Sequence, residues 1–175
     1  MTAMGKAMGA AAESAKSGAA KGVVDFREMK ALLPKELPDG FKGQLKGEKT
    51  GAMGMSVAEA EGRYAPENGE GSITIKLTDM SGVAFGAMAG MAWAATEVDN
   101  ETDSGYEKTT KINGYKALEK YDTKSKDGSI QIMVDNRFSI EVQGYGVKIE
   151  QIRAALKDVD LKKLAALKPV APAAQ

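Results

Sequence analysis

The sequence predicts an α+β fold, with an antiparallel sheet of about six to seven strands that includes a C-terminal four-strand meander and is packed by helices. Three observations carry that prediction. Ile130, Ile132 and Val134 alternate with Gln131, Met133 and Asp135, and Phe138, Ile140 and Val142 alternate with Ser139, Glu141 and Gln143. Such period-two patterning belongs to strands with one oily face and one wet face. Turn dipeptides punctuate the same region at Asn113-Gly114, Asp127-Gly128 and Asp135-Asn136. After the last strand the spacing changes to threes and fours, which signals helices segregated from the sheet.

Taken in order, residues 1–22 form an Ala/Gly/Met-rich segment in which Met1, Met4, Met8, Ala11 and Ala15 make a weak helical stripe. Its glycines oppose a stable isolated helix, so a flexible tether is expected. A single domain then spans residues 23–168. Asp25 is placed as the N-cap of a short helix carrying Phe26, Met29, Leu32 and Leu33, which Pro34 and Pro38 terminate. Strands are predicted at Phe41 to Glu48, Met53 to Tyr64 and Ser72 to Thr78, with Pro66-Glu67-Asn68-Gly69 as the turn between the last two.

Ser81 to Thr96 reads as a helix with almost no polar residue on its circumference, which predicts that it is largely buried. Gly82, Gly86 and Gly90 recur every fourth residue and clear one face, either for a sheet beneath the helix or for a second helix in a homo-oligomer. The meander is expected at Tyr106–Ile112, Tyr115–Tyr121, Ser129–Val134 and Arg137–Val142. Val147, Ile149, Ile152, Leu156 and Val159 then form a helical stripe, and Asp160 caps a last short helix with Leu161, Leu164 and Leu167. Pro169 and Pro172 in an Ala-rich run predict a disordered tail over 169–175.

Composition removes whole classes of chemistry. The chain has 175 residues and contains neither Cys nor His. Disulfides, thiolate zinc sites, thiol nucleophiles and Ser-His-Asp triads are therefore excluded. Lys+Arg and Asp+Glu both number 24, so the formal net charge is zero. A balanced chain predicts no nucleic-acid partner. Six lysines between Lys108 and Lys126 are interleaved with Glu107, Glu119, Asp122 and Asp127, which makes a mixed surface. The longest apolar stretch, Val83 to Ala95, is too short for a transmembrane span. Residues 1–22 lack a continuous apolar core and do not read as a signal peptide, so if the protein is exported its leader is expected outside this chain, and a cytoplasmic location stays open.

Few residues remain as candidates for chemistry. Asp99, Glu101 and Asp103 alternate in the acidic run Glu97 to Glu107, as carboxylates at the start of a calcium loop do. Ser104 and Thr110 break that motif, where it requires Gly and a bidentate Glu, so a solvated acidic loop is the expectation. Glu59 and Glu61 share a strand face with Arg63 and form the one paired-carboxylate candidate for acid–base catalysis. A charged outer sheet face is the simpler reading of that pair. Met53 and Met55 suit a core or groove better than a copper site without His or Cys. Tyr115 and Tyr121 share one strand face and are candidates for lining a pocket or partner surface, or for covering the edge of a core. No cofactor is predicted.

The run GYKALEKYDTKSKDGSIQIMVDNRFSIEVQG, from Gly114 to Gly144, resembles the central hairpins of PsbP-like domains. The matching elements are Tyr115-Lys116-Ala117 and the strand start Asp135 to Phe138. The resemblance implies an antiparallel sheet sandwiched between helices and an exported, lipoprotein-like or envelope-associated protein in the periplasm. It carries over no catalytic residue. The resulting expectation is a non-enzymatic binding or accessory domain for an unknown protein or small ligand. A self-associating structural protein is the alternative, and a carboxylate-based hydrolase comes after it.

Overall fold

The computed structural model describes residues 22–52, 55–83 and 86–170. The N-terminal stripe over residues 1–21, Met53, Phe85 and the tail from 171 onward lie outside the described residues.

Asp25 caps α1 (Phe26–Ala31), its carboxylate accepting from the Arg27 amide at 2.8 Å. A two-residue β1 (Glu36–Leu37) leads through a tight turn into the long hairpin of β2 (Phe41–Ala52) and β3 (Met55–Pro66), followed by β4 (Ser72–Asp79). The chain then crosses through α2 (Gly86–Ala95) to β5 (Asp99–Thr102) and returns by β6 (Gly105–Ile112), β7 (Tyr115–Asp122), β8 (Asp127–Val134) and β9 (Phe138–Tyr145). Two helices, α3 (Ile149–Lys157) and α4 (Leu161–Ala166), follow.

All nine strands belong to one antiparallel sheet, in the order β1-β2-β3-β4-β9-β8-β7-β6-β5. Two meanders thus meet at the β4–β9 pair, and the chain reaches the far edge at β5 before working back to the centre. The α+β class and the antiparallel sheet agree with the sequence, while the strand count does not. The prediction missed β1, which is only two residues long, and β5, whose residues Asp-Asn-Glu-Thr have low strand propensity. An edge strand with every residue exposed tolerates them, and charges there discourage further pairing.

Period-two patterning decides which face is dry. The register aligns Ala60, Leu77, Ile140, Ile132 and Ala117 in one row across five strands, and all are fully buried. α1 packs over β2 and β3, and α3 over β8 and β9. The α3 stripe buries Ile149, Ile152, Ala155 and Leu156, and α4 adds Leu161 and Leu164 to the same core. Gly144 lets α3 settle close, since a Cβ there would lie 2.6 Å from Ile152 Cγ1 and 2.5 Å from Val147 Cγ2.

The hairpin turns follow their chemistry, with one correction. Asn113 and Gly114 take φ of 52° and 84°, and Asp135 and Asn136 take 52° and 51°, the left-handed pairs that primed turns require. Asp127-Gly128, predicted as a turn, lies inside β8 opposite Asp122 and Tyr121. The turn closes earlier because the Asp122 carboxylate accepts from the amides of Lys124 and Ser125, both at 2.9 Å.

A second correction concerns α2. Its residues Met91, Ala92, Ala94 and Ala95 are exposed, so the expectation of a largely buried helix fails for them. Among the described residues, the other three helices already cover the core face. α2 instead crosses on the other side, where Lys116, pointing away from the core, donates to the Ala94 carbonyl at 2.8 Å.

Candidate interaction surface

α2 reads GAMAGMAWAA and carries no charge. An apolar helix is normally buried on all sides, and an exposed contiguous apolar surface usually marks a place of contact. Met91 is 66% exposed, more than any other large apolar side chain of the sheet and helices among the described residues. Trp93 beside it is half-buried, and its indole nitrogen is buried with no hydrogen-bond partner among the described residues. Buried N–H groups in proteins are nearly always paired, so this one stands out. Gly90 sits against Asn136, where an added Cβ would lie 2.9 Å from the asparagine Cβ, and Thr96 Oγ1 donates to the Ala92 carbonyl at 2.9 Å.

The glycine series does not form one open seam. Gly82 precedes α2, accepts a hydrogen bond from the Ser56 amide at 3.0 Å and lies so near that backbone that an added Cβ would sit 2.1 Å from the Ser56 carbonyl. Gly86 opens the helix, and Gly90 is turned to Asn136. Two of the three are thus spent on close approach within the chain.

Tyr121 is buried in the core, where its hydroxyl donates to the Val147 carbonyl at 2.9 Å and its ring tilts against Tyr106 at 6.5 Å between centroids. Tyr115 is half-buried against the same core. Neither lines an enclosed cavity with the other.

Asp99 and Glu101 lie on the exposed edge strand β5, opposite Lys108 and Tyr106, and Asp103 sits in the following turn. The acidic run is therefore half strand instead of a loop. Among the described residues no group of three carboxylates converges as a cation site would require. Glu59 and Glu61 face outward as predicted, with Lys76 at 3.0 Å from Glu59, Lys46 at 3.6 Å from Glu61, and Arg63 also paired with Glu61. Those partners neutralise the carboxylates in place.

Two buried carboxylates escaped the sequence reading. Glu119, 1% exposed, takes Arg153 Nε and Nη2 at 2.8 and 2.6 Å, and the Tyr106 hydroxyl donates to it at 2.6 Å. Burial works to raise its pKa, but the hydrogen bonds from Arg153 and Tyr106 win and the group is lowered. Burial and the bond to Glu119 push Tyr106 up to about 12. Asp79, fully buried, accepts from Arg137, from the Ser81 amide at 3.0 Å and from the Val24 amide at 2.8 Å. Its pKa is also lowered, against burial, by those donors. Both carboxylates are permanently ionised and saturated near neutral pH, the reverse of a poised general acid. A signal was present for both, since the alternation of β4 places Asp79 on the apolar face after Ile73, Ile75 and Leu77, and that of β7 places Glu119 between Ala117 and Tyr121.

The outer sheet face is wet. Asn100, Glu107, Lys120, Ser129 and Gln143 line up across β5 to β9, beside the exposed Tyr145, along an open groove of about 420 Å³. Among the described residues no helix is long and apolar enough to cross a membrane. No protein-family model, curated protein or solved structure matches the chain.

Proposed function

We propose that this protein is a non-catalytic binding or accessory domain that meets another protein through α2. The observation that carries the reading is the exposed apolar surface of Met91, Ala92, Ala94 and Ala95, with the indole N–H of Trp93 beside it unpaired among the described residues. The engagement of Asp79 and Glu119 in multiple hydrogen bonds supports the non-catalytic part. Export to the cell envelope belongs to the same proposal and rests on the resemblance to PsbP-like domains alone.

The test compares partners recovered on the tagged full chain with those recovered on Met91→Glu and on Lys49→Glu, an exposed residue of β2. A partner lost with Met91→Glu and kept with Lys49→Glu supports the reading. Identical recovery on all three chains contradicts it.

A further inference from the structure

We infer that two copies of this chain join edge to edge through β2, so that one antiparallel sheet runs through both. This surface is separate from α2 and lies at the sheet margin opposite β5.

The β2 edge is open over most of its length. The strand has twelve residues, but β1 pairs with it only at Phe41 and Lys42. The Gly43 amide donates to the Lys35 carbonyl at 2.9 Å. Backbone groups of a strand alternate sides, so the odd-numbered residues of β2 point away from β3. Leu45, Gly47 and Lys49 therefore present their N–H and C=O groups to a margin that no strand covers among the described residues. Such a row is a template for a further strand.

Charge identifies a second copy as that strand. Glu48 lies opposite Glu59 on β3, a like-charge pair, and Lys76 serves Glu59 at 3.0 Å. Among the described residues no cation pairs with Glu48 itself. A two-fold axis at Gly47 sets the exposed Lys46 of each copy directly opposite Glu48 of the other, and Leu45 opposite the stem of Lys49. Axes one residue to either side oppose Glu48 to Glu48 or Lys46 to Lys46, which like charge disfavours. One register is thus self-complementary, as a two-fold interface requires. An edge lysine ordinarily discourages pairing, but here Lys46 meets a carboxylate. The margin at β5 differs, since Asp99 and Glu101 would bring carboxylates together on self-pairing. Pairing from Leu45 to Lys49 makes about six backbone hydrogen bonds. That contact is small, so micromolar association is expected in place of nanomolar.

Sedimentation equilibrium of the full chain, from micromolar to millimolar concentration, is expected to show reversible dimers. Glu48→Lys sets like charges across the axis and is expected to raise the dissociation constant about tenfold or more. Lys46→Glu should do the same, with thermal unfolding to check the loss of its contact to Glu61. Glu48→Lys removes the like-charge neighbour of Glu59, so it carries the test alone if Lys46→Glu proves unstable. Mixed in equal amounts, the two variants are complementary and should regain dimers containing one of each. A parent chain that stays monomeric throughout, or dimers unchanged by Glu48→Lys, overturns the inference. Dimers kept in Met91→Glu support β2, and dimers lost there but kept in Glu48→Lys place the second copy on α2 instead.

Discussion

Arg137 grips Asp79 across 58 residues of chain, Nε and Nη2 donating to its two carboxylate oxygens at 3.2 and 2.9 Å. The same guanidinium donates through Nη1 to the Leu167 carbonyl at 2.9 Å, and Asp79 also accepts from the Val24 amide. One ion pair thus ties the N-terminal approach, the central strand β4, the β8–β9 turn and the end of α4. The Val170 amide donates to the Val23 carbonyl at 3.0 Å nearby and completes the closure of the two ends.

Removing one partner strands the other in the interior. Arg137→Ala leaves the fully buried Asp79 carboxylate without its countercharge and is expected to destabilise the fold by about 3–5 kcal/mol. Urea unfolding measures this, and a loss below about 1 kcal/mol would assign the clasp little weight.

Acid should loosen the fold through these same groups. Asp79 and Glu119 have lowered pKa values when folded, against about 3.9 and 4.3 in the unfolded chain. The unfolded state therefore binds protons first, so their contribution is complete above those unfolded values and drains away as pH falls through the folded ones. Unfolding midpoints should be level above about pH 5 and drop below about pH 4. An Asp79→Asn/Glu119→Gln chain, less stable at neutral pH, should show a flatter profile, and an equally steep one would point to other carboxylates.

Tyr106→Phe removes one of the donors to Glu119 and leaves Arg153 in place. A hydrogen bond to a charged group contributes about 1.5–3 kcal/mol, and a loss of that size is expected in chemical denaturation. Phenolate absorbance in the parent chain should show one tyrosine titrating near pH 12 that the variant lacks.

Two glycines should fail for different reasons. Gly144→Ala drives a Cβ into Val147 and Ile152 and is expected to destabilise by about 1–3 kcal/mol. Gly114→Ala meets no atom within 4 Å, and its effect comes from the backbone at φ 84°, on the order of 1 kcal/mol. Thermal unfolding of both variants ranks them, and the reverse order would argue against the close seat of α3.

Much of this fold was legible because local chemistry determined it. The alternation of Ile130 to Val134 and Phe138 to Val142, and the left-handed pair Asn113-Gly114, each specify their own geometry. β5 was hidden because Asp99 to Thr102 form a strand only by virtue of the edge they occupy. The site was less legible still. Asp79 and Arg137, or Glu119 and Arg153, meet only after the sheet is assembled, and no spacing rule links them. α2 misled for the opposite reason. Its composition is that of a buried helix, and only the sheet order, which leaves it the outer crossing, exposes it.

The central claim, that α2 is the surface this protein uses for contact, is tested most directly by placing a photo-crosslinking residue at Met91 and, separately, at Asn100 on β5. The account predicts a discrete cross-linked partner from position 91 and none from position 100. Equal labelling from both positions, or a partner captured from position 100 alone, would contradict it.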